Sequence, residues 1–162
     1  MDFKFFPTHT GIWEGTYRRV DPQGNTMFEH KSRLTLKLDG KNWYQTNYYT
    51  FENGREEFHN FGLAVFDENG VMTFDNPRIL GKAWEGSTNV LLTWTYKDEP
   101  GSKLFEMITL LGDDHRTRVW QHSRNGVFEG LTMIEEWKKA DQSTIPMSHF
   151  DQASYIKEAV TK

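Results

Sequence analysis

Thr10-Gly11-Ile12-Trp13-Glu14-Gly15-Thr16-Tyr17 decides how the rest of the chain reads. A tryptophan stands between two glycines, shortly after Pro7. Side chains alternate faces along a strand, so Gly11, Trp13, Gly15 and Tyr17 share one face. That face runs small, large, small, large. Such a pattern lets a bulky indole fit beneath crossing backbone at the crowded end of a barrel.

Working outward, Gly24, Gly40, Gly54, Gly70, Gly86, Gly101, Gly112 and Gly126 recur at rather even intervals. Many of them follow a turn former such as Asp39, Asn53, Asn69, Pro100 or Asn125. Asn-Gly and Asp-Gly supply the positive φ of tight hairpins. Between them lie β-rich runs: Thr10–Val20, Thr26–Leu38, Asn42–Phe51, Glu56–Phe66, Val71–Asp75, Ile79–Glu85, Asn89–Lys97, Lys103–Leu111, Arg116–Arg124 and Val127–Trp137. Pro77 divides what would otherwise be one long strand, because it cannot donate to a ladder.

Short links between consecutive strands imply an up-and-down antiparallel topology. Long strands in one open sheet would leave a hydrophobic face and two edges uncovered, and closure removes both. The expected fold is therefore all-β, an up-and-down antiparallel β-barrel of 8–10 strands over residues 1–140. A two-sheet sandwich, the other arrangement, uses shorter strands and longer crossings. Residues 141–162 form a separate tail. There Ile145, His149, Ala153, Ile156 and Val160 have helical spacing, which predicts a short helix near His149–Val160 docked outside the barrel.

The 162 residues carry a net charge of −4 with no block of Lys or Arg, which argues against a nucleic-acid partner. No basic leader or long apolar run is present, so neither a signal peptide nor a membrane span is expected. The absence of cysteine points to a reducing, cytoplasmic setting. Aromatic residues make up 15%, against only 36% hydrophobic residues altogether, so the interior is built from a few large, partly polar side chains.

The Gly11-x-Trp13 opening followed by antiparallel strands resembles lipocalin-like barrels of the calycin superfamily. Asn42-Trp43-Tyr44-Gln45 and the late Trp120-Gln121-His122 strand extend that resemblance to an uncharacterised intracellular branch. The Thr-Asp-Tyr motif of the secreted lipocalins is missing. The resemblance implies that an arginine of a late strand stacks on the opening tryptophan, with Arg118 and Arg124 as the two choices. In some ten-stranded calycin relatives a lone histidine holds haem iron, a role for which His149 is the candidate. No other cofactor is implied.

Chemistry concentrates on the strand from Arg116 to Arg124, where Arg118, Trp120, His122 and Arg124 share a face. Turned inward, that face gives a lumen with an aromatic wall and cationic donors for an oxyanion. Turned outward, Trp120 lies under the stems of its neighbours. On the Thr26–Leu38 strand, His30 stands with Phe28, Ser32, Leu34 and Leu36 on the face that alternation assigns to the interior. Glu106, among Leu104, Ile108 and Leu110, is either paired with an arginine such as Arg118 or kept as a neutral acid. The six histidines lack a His-x-x-x-His spacing, so no metal site is read.

These residues support binding of a small, mostly apolar or aromatic molecule bearing an acidic or polar group. Trp84, Trp94 and Trp120 would give stacking area, Arg118 would hold the polar end, and His30, Tyr48 and His122 would donate hydrogen bonds. The alternative is a cofactor-free acid–base enzyme, an isomerase, cyclase or decarboxylase, with His122 and Glu106 as acid and base. A protein-partner module using outer aromatics is a third reading. A monomer and a homodimer are equally compatible with the sequence.

Overall fold

A computed structural model of the chain describes residues 1–159. The ten strands of the barrel are β1 (Gly11–Val20), β2 (Thr26–Asp39), β3 (Asn42–Thr50), β4 (Glu56–Phe66), β5 (Met72–Asp75), β6 (Ile79–Glu85), β7 (Val90–Tyr96), β8 (Ser102–Gly112), β9 (His115–Arg124) and β10 (Val127–Ala140). Each pairs antiparallel with its chain neighbour, β10 returns to β1, and β4 joins β5, closing the barrel. The β-rich runs read from the sequence match these strands to within three residues at either end.

Trp13 is completely buried at one end, and its indole N–H donates to the His9 carbonyl at 3.0 Å. Gly15 explains how the indole end is made so tight. A Cβ at Gly15 would lie 2.7 Å from Glu136 Cγ and would overlap the Glu135 carbonyl, so only glycine admits β10 there. A 3-10 turn, Phe6–His9, plugs this end beneath Trp43 and Phe66. The carboxylate of Glu85 holds the plug by accepting the backbone N–H groups of Lys4, Phe5 and Phe6.

The ring has one weak seam. β4 meets β5 only through Val65↔Thr73 and Phe66↔Met72, at the plugged end. Towards the other end the same edge of β4 is taken by β11 (Tyr155–Lys157), which pairs antiparallel with Glu56–Phe58. The tail thus differs from the helix expected from its periodicity. Met147–Asp151 is one 3-10 turn and Tyr155–Lys157 is a strand, while Val160 lies outside the described residues.

The cause of that difference is tertiary. Unpaired strand-edge groups need partners, whereas a helix this short is marginal on its own. The Asn60 amide donates to the carbonyls of Phe150 and Gln152, and its backbone N–H donates to Ser154. Nearer the barrel, Lys37 donates to the Ile145 carbonyl and Ile145 is buried. Among the described residues no helix is long and apolar enough to cross a membrane.

Candidate functional site

Strand β9 turns Arg116, Arg118, Trp120 and His122 inward. Of the two orientations left open by the sequence, the amphipathic interior is the one found. Its lower half is an ion cluster laid out in the order Glu106–Arg118–Glu136–Arg116. Arg118 Nε donates to Glu106 at 2.5 Å, and its Nη1 reaches Glu136 at 3.2 Å and the Tyr17 hydroxyl at 2.7 Å. Arg116 Nε donates to the other oxygen of Glu136 at 2.8 Å. None of the four is more than 4% exposed. Two guanidinium groups face two carboxylates, so the formal charges cancel, as burial demands.

Arg116, not Arg118 or Arg124, covers the opening tryptophan, with its guanidinium carbon 4.3 Å from the Trp13 ring centre. Register decides this. Arg116 pairs with Glu136, which lies opposite Gly15, one inward step from the Lys138 rung that holds Trp13, whereas Arg118 pairs with Ile134 one step further in, level with Tyr17. Arg124 is at the far end of β9, paired on the surface with Glu99 and Glu129. Arg116 Nη1 also meets His9 Nδ1 at 3.0 Å. Burial, and then the nearby cations Arg116, Arg118 and Lys138, push His9 down to about 2, so its ring is neutral.

Above the cluster lies a cavity of about 330 Å³, a size suited to one small molecule. Its wall is largely aromatic: Trp94 stands edge-on to Trp120 at 5.1 Å, and Trp120 edge-on to Tyr17 at 5.6 Å. On β3 the inward side chains bond head to tail. Trp43 donates to Gln45, Gln45 to Asn47 and Asn47 to the Tyr49 hydroxyl, at 3.1, 3.0 and 2.8 Å. These β3 groups are satisfied by one another, which fixes that side of the cavity, whereas the buried indole N–H of Trp120 has no hydrogen-bond partner among the described residues.

The cavity opens away from the plug. At this mouth His30 packs among Tyr17, Tyr49 and Phe51 at 4.6–4.7 Å, and burial lowers its pKa. His122 Nε2 lies 2.7 Å from Thr132 Oγ1, and burial, then Arg19, lowers its pKa to about 4. Glu57 is engaged by Arg55 and His59 at 3.1 and 2.9 Å.

Of the ligand-binding residues named from sequence, His30, Trp94, Arg118, Trp120 and His122 line this cavity. Tyr48 and Trp84 do not. Tyr48 is on the outer face of β3, where its hydroxyl bonds Glu56, because the odd-numbered residues from Trp43 to Tyr49 face in. On β6 the inward positions are Ile79, Gly81 and Ala83, and the Cβ of Trp94 and the Phe74 ring fill the space over Gly81. Trp84 is left outside under Lys82. His149 is also outside, with Nε2 at 2.8 Å from Thr46 Oγ1 and Nδ1 beside Gln152, so it does not face the lumen where haem would sit.

The acid–base pair named from sequence is not joined. Glu106 pairs in register with Trp120 and is bound by Arg118, whereas His122 sits opposite Leu104 and bonds Thr132. Sequence reasoning passed over Tyr49 and Trp43 as wall residues, Glu136 as the central counter-ion, and Arg19 and Arg78 at the mouth. Parity along β3 from Trp43 carried the signal for Tyr49, and parity from Arg118 carried it for Arg116.

Floor, wall and mouth together define a closed ten-strand barrel with one open-ended cavity, consistent with a calycin-like fold. Residues 3–141 match the family model described as "Domain of unknown function (DUF3598), N-terminal", and the chain belongs to that family. Among solved structures it is similar to a DUF3598 protein of unknown function from Nostoc punctiforme, at 16% identity and a TM-score of 0.60. That match covers 82% of this chain and 48% of the Nostoc protein, so the chain spans about half of its relative's length. It is also similar to Rv2717c from M. tuberculosis, at 13% identity and a TM-score of 0.55, over 82% of this chain and 94% of that one. At these identities the likeness is one of fold. No curated protein matches the chain.

Proposed function

We propose that the barrel binds a small, mostly aromatic or apolar molecule carrying one polar or acidic group. The observation behind this is the cavity of about 330 Å³, open at one end and walled by Trp43, Trp94, Trp120, Tyr17 and Tyr49. Interiors are normally packed to crystal density, so a void of this size lined by flat rings suits a guest. Trp94 and Trp120 supply stacking surface, and His30 and His122 stand where they can bond the guest at the mouth. Arg118 braces the floor, since its bonds go to Glu106, Glu136 and Tyr17.

The acid–base enzyme ranks behind the carrier. It retains His122, held neutral at physiological pH, but Glu106 is engaged by Arg118. Titration with N-phenylnaphthylamine, a neutral probe that fluoresces in apolar surroundings, tests the binding reading. Saturable uptake at one site per chain, with quenching of tryptophan emission, is expected. No uptake defeats it.

A further inference from the structure

We propose that the guest is an organic anion bound head-out, its acidic group at the barrel mouth on Arg19, with Arg78 facing it from the opposite wall. This rests on the binding reading above and adds the charge and the orientation of the ligand.

The floor does not suit an acid. Glu106, Glu136, Arg116 and Arg118 already balance, and a further carboxylate would set three negative groups against two positive ones in a buried space. The mouth is different. The Arg19 guanidinium lines the cavity and is held by two backbone carbonyls, those of Val20 and Glu129, at 2.5 and 2.8 Å. Among the described residues it forms no ion pair with a carboxylate. Two carbonyl anchors fix its plane but leave its full charge uncompensated, which is the arrangement a guanidinium needs to receive an anion.

The backbone is shaped for this arginine. β10 shifts register between Phe128 and Gly130, and Gly130 takes φ +105°. A Cβ at Gly130 would lie 2.5 Å from Arg19 Nη1, so the missing side chain is the space the guanidinium uses. His122, which feels the Arg19 charge, and the Thr132 hydroxyl stand on the same side.

Arg78 lies just before β6, five strands from β1 in a ring of ten, and so across the mouth. Its guanidinium carbon is 5.4 Å from the Tyr96 ring centre, and it too forms no ion pair among the described residues. Neighbouring acids are engaged elsewhere: Glu57 with Arg55 and His59, Glu99 and Glu129 with Arg124. In a chain of net charge −4, two uncompensated cations facing one opening favour entry of an anion.

The test compares two probes of one skeleton on the full chain: anilinonaphthalene sulfonate, which is anionic, and N-phenylnaphthylamine, which lacks the sulfonate. Wild type is expected to bind the sulfonate about tenfold or more tightly than the neutral probe, the size of a charge-assisted hydrogen bond. Arg19→Gln should remove most of that preference and Arg19→Gln with Arg78→Gln all of it, with neutral-probe affinity unchanged in both. Unchanged neutral binding also reports that the variants fold. Equal affinity of wild type for the two probes overturns the proposal. So does a parallel loss of both probes in Arg19→Gln, which would make Arg19 structural. Failure of wild type to take up either probe overturns the binding reading itself, and this one with it.

Discussion

The Arg116 guanidinium carbon lies over the Trp13 ring, 4.3 Å from its centre, while its Nε is bonded to Glu136. One residue thereby joins the aromatic plug to the ion cluster beneath the cavity, and Glu136 serves both arginines. Glu136→Ala leaves two buried guanidinium groups with one carboxylate between them. It is expected to cost about 3–5 kcal/mol, the range for breaking a buried pair from one side. Urea denaturation, read at constant m-value, measures it.

Backbone approach at Gly15 gives a sharper test of the plugged end. Gly15→Ala drives a methyl group into the Glu135 carbonyl and against Glu136, and is expected to cost about 1–3 kcal/mol. Gly112→Ala meets nothing within 4 Å and should stay within about 0.5 kcal/mol of wild type. Thermal unfolding of the two variants, side by side, separates a steric requirement from a general one.

Inward and outward tryptophans should differ in the same way. Trp120→Ala removes a wall ring and is expected to weaken N-phenylnaphthylamine binding by about tenfold, corresponding to roughly 1.4 kcal/mol. Trp84→Ala, on the outer face, should leave it unchanged. Equal effects would contradict the orientation of β6.

Histidine titration follows from the mouth. The pKa of His122 is lowered from 6.5 to about 4, so between those values the unfolded chain binds a proton that the folded one does not. The stability that the neutral ring contributes is present above pH 6.5 and is lost as pH falls towards 4. His122→Gln should reduce the pH dependence of stability across that window. Ring resonances followed by NMR should place the His122 midpoint near 4, with His9 still neutral there.

Much of the fold was legible because it repeats a local rule. Asn53-Gly54 and Asn125-Gly126 mark hairpins by their backbone requirements, and alternation from Phe28 to Leu38 assigned the interior of β2 correctly. Where two residues of the same type alternate, the rule fell silent: Tyr48 and Tyr49 differ only in parity, and parity needs a fixed reference such as Trp43. Trp84 and Trp94 are alike by composition, and only the parity of β6, whose inward positions are Ile79, Gly81 and Ala83, leaves Trp84 outside. The Arg19 site is a non-local product, made by a bulge in β10 acting on the end of β1. The tail failed as a helix for a related reason, since its partner is a strand edge about a hundred residues earlier in the chain.

That borrowed strand has a mechanical consequence. β11 covers the stretch of the β4 edge that β5 leaves unpaired, so one side of the barrel's rim is lined by a three-residue strand of the tail. Cutting the chain after Gln152 would remove β11 and bare the Glu56–Phe58 edge. Truncated protein should then self-associate through that edge in light scattering and release bound N-phenylnaphthylamine faster. A molecule too broad for the rim would meet least resistance along this edge, where only the three-residue pairing of β11 has to be given up while the two β4–β5 rungs at the plugged end stay in place.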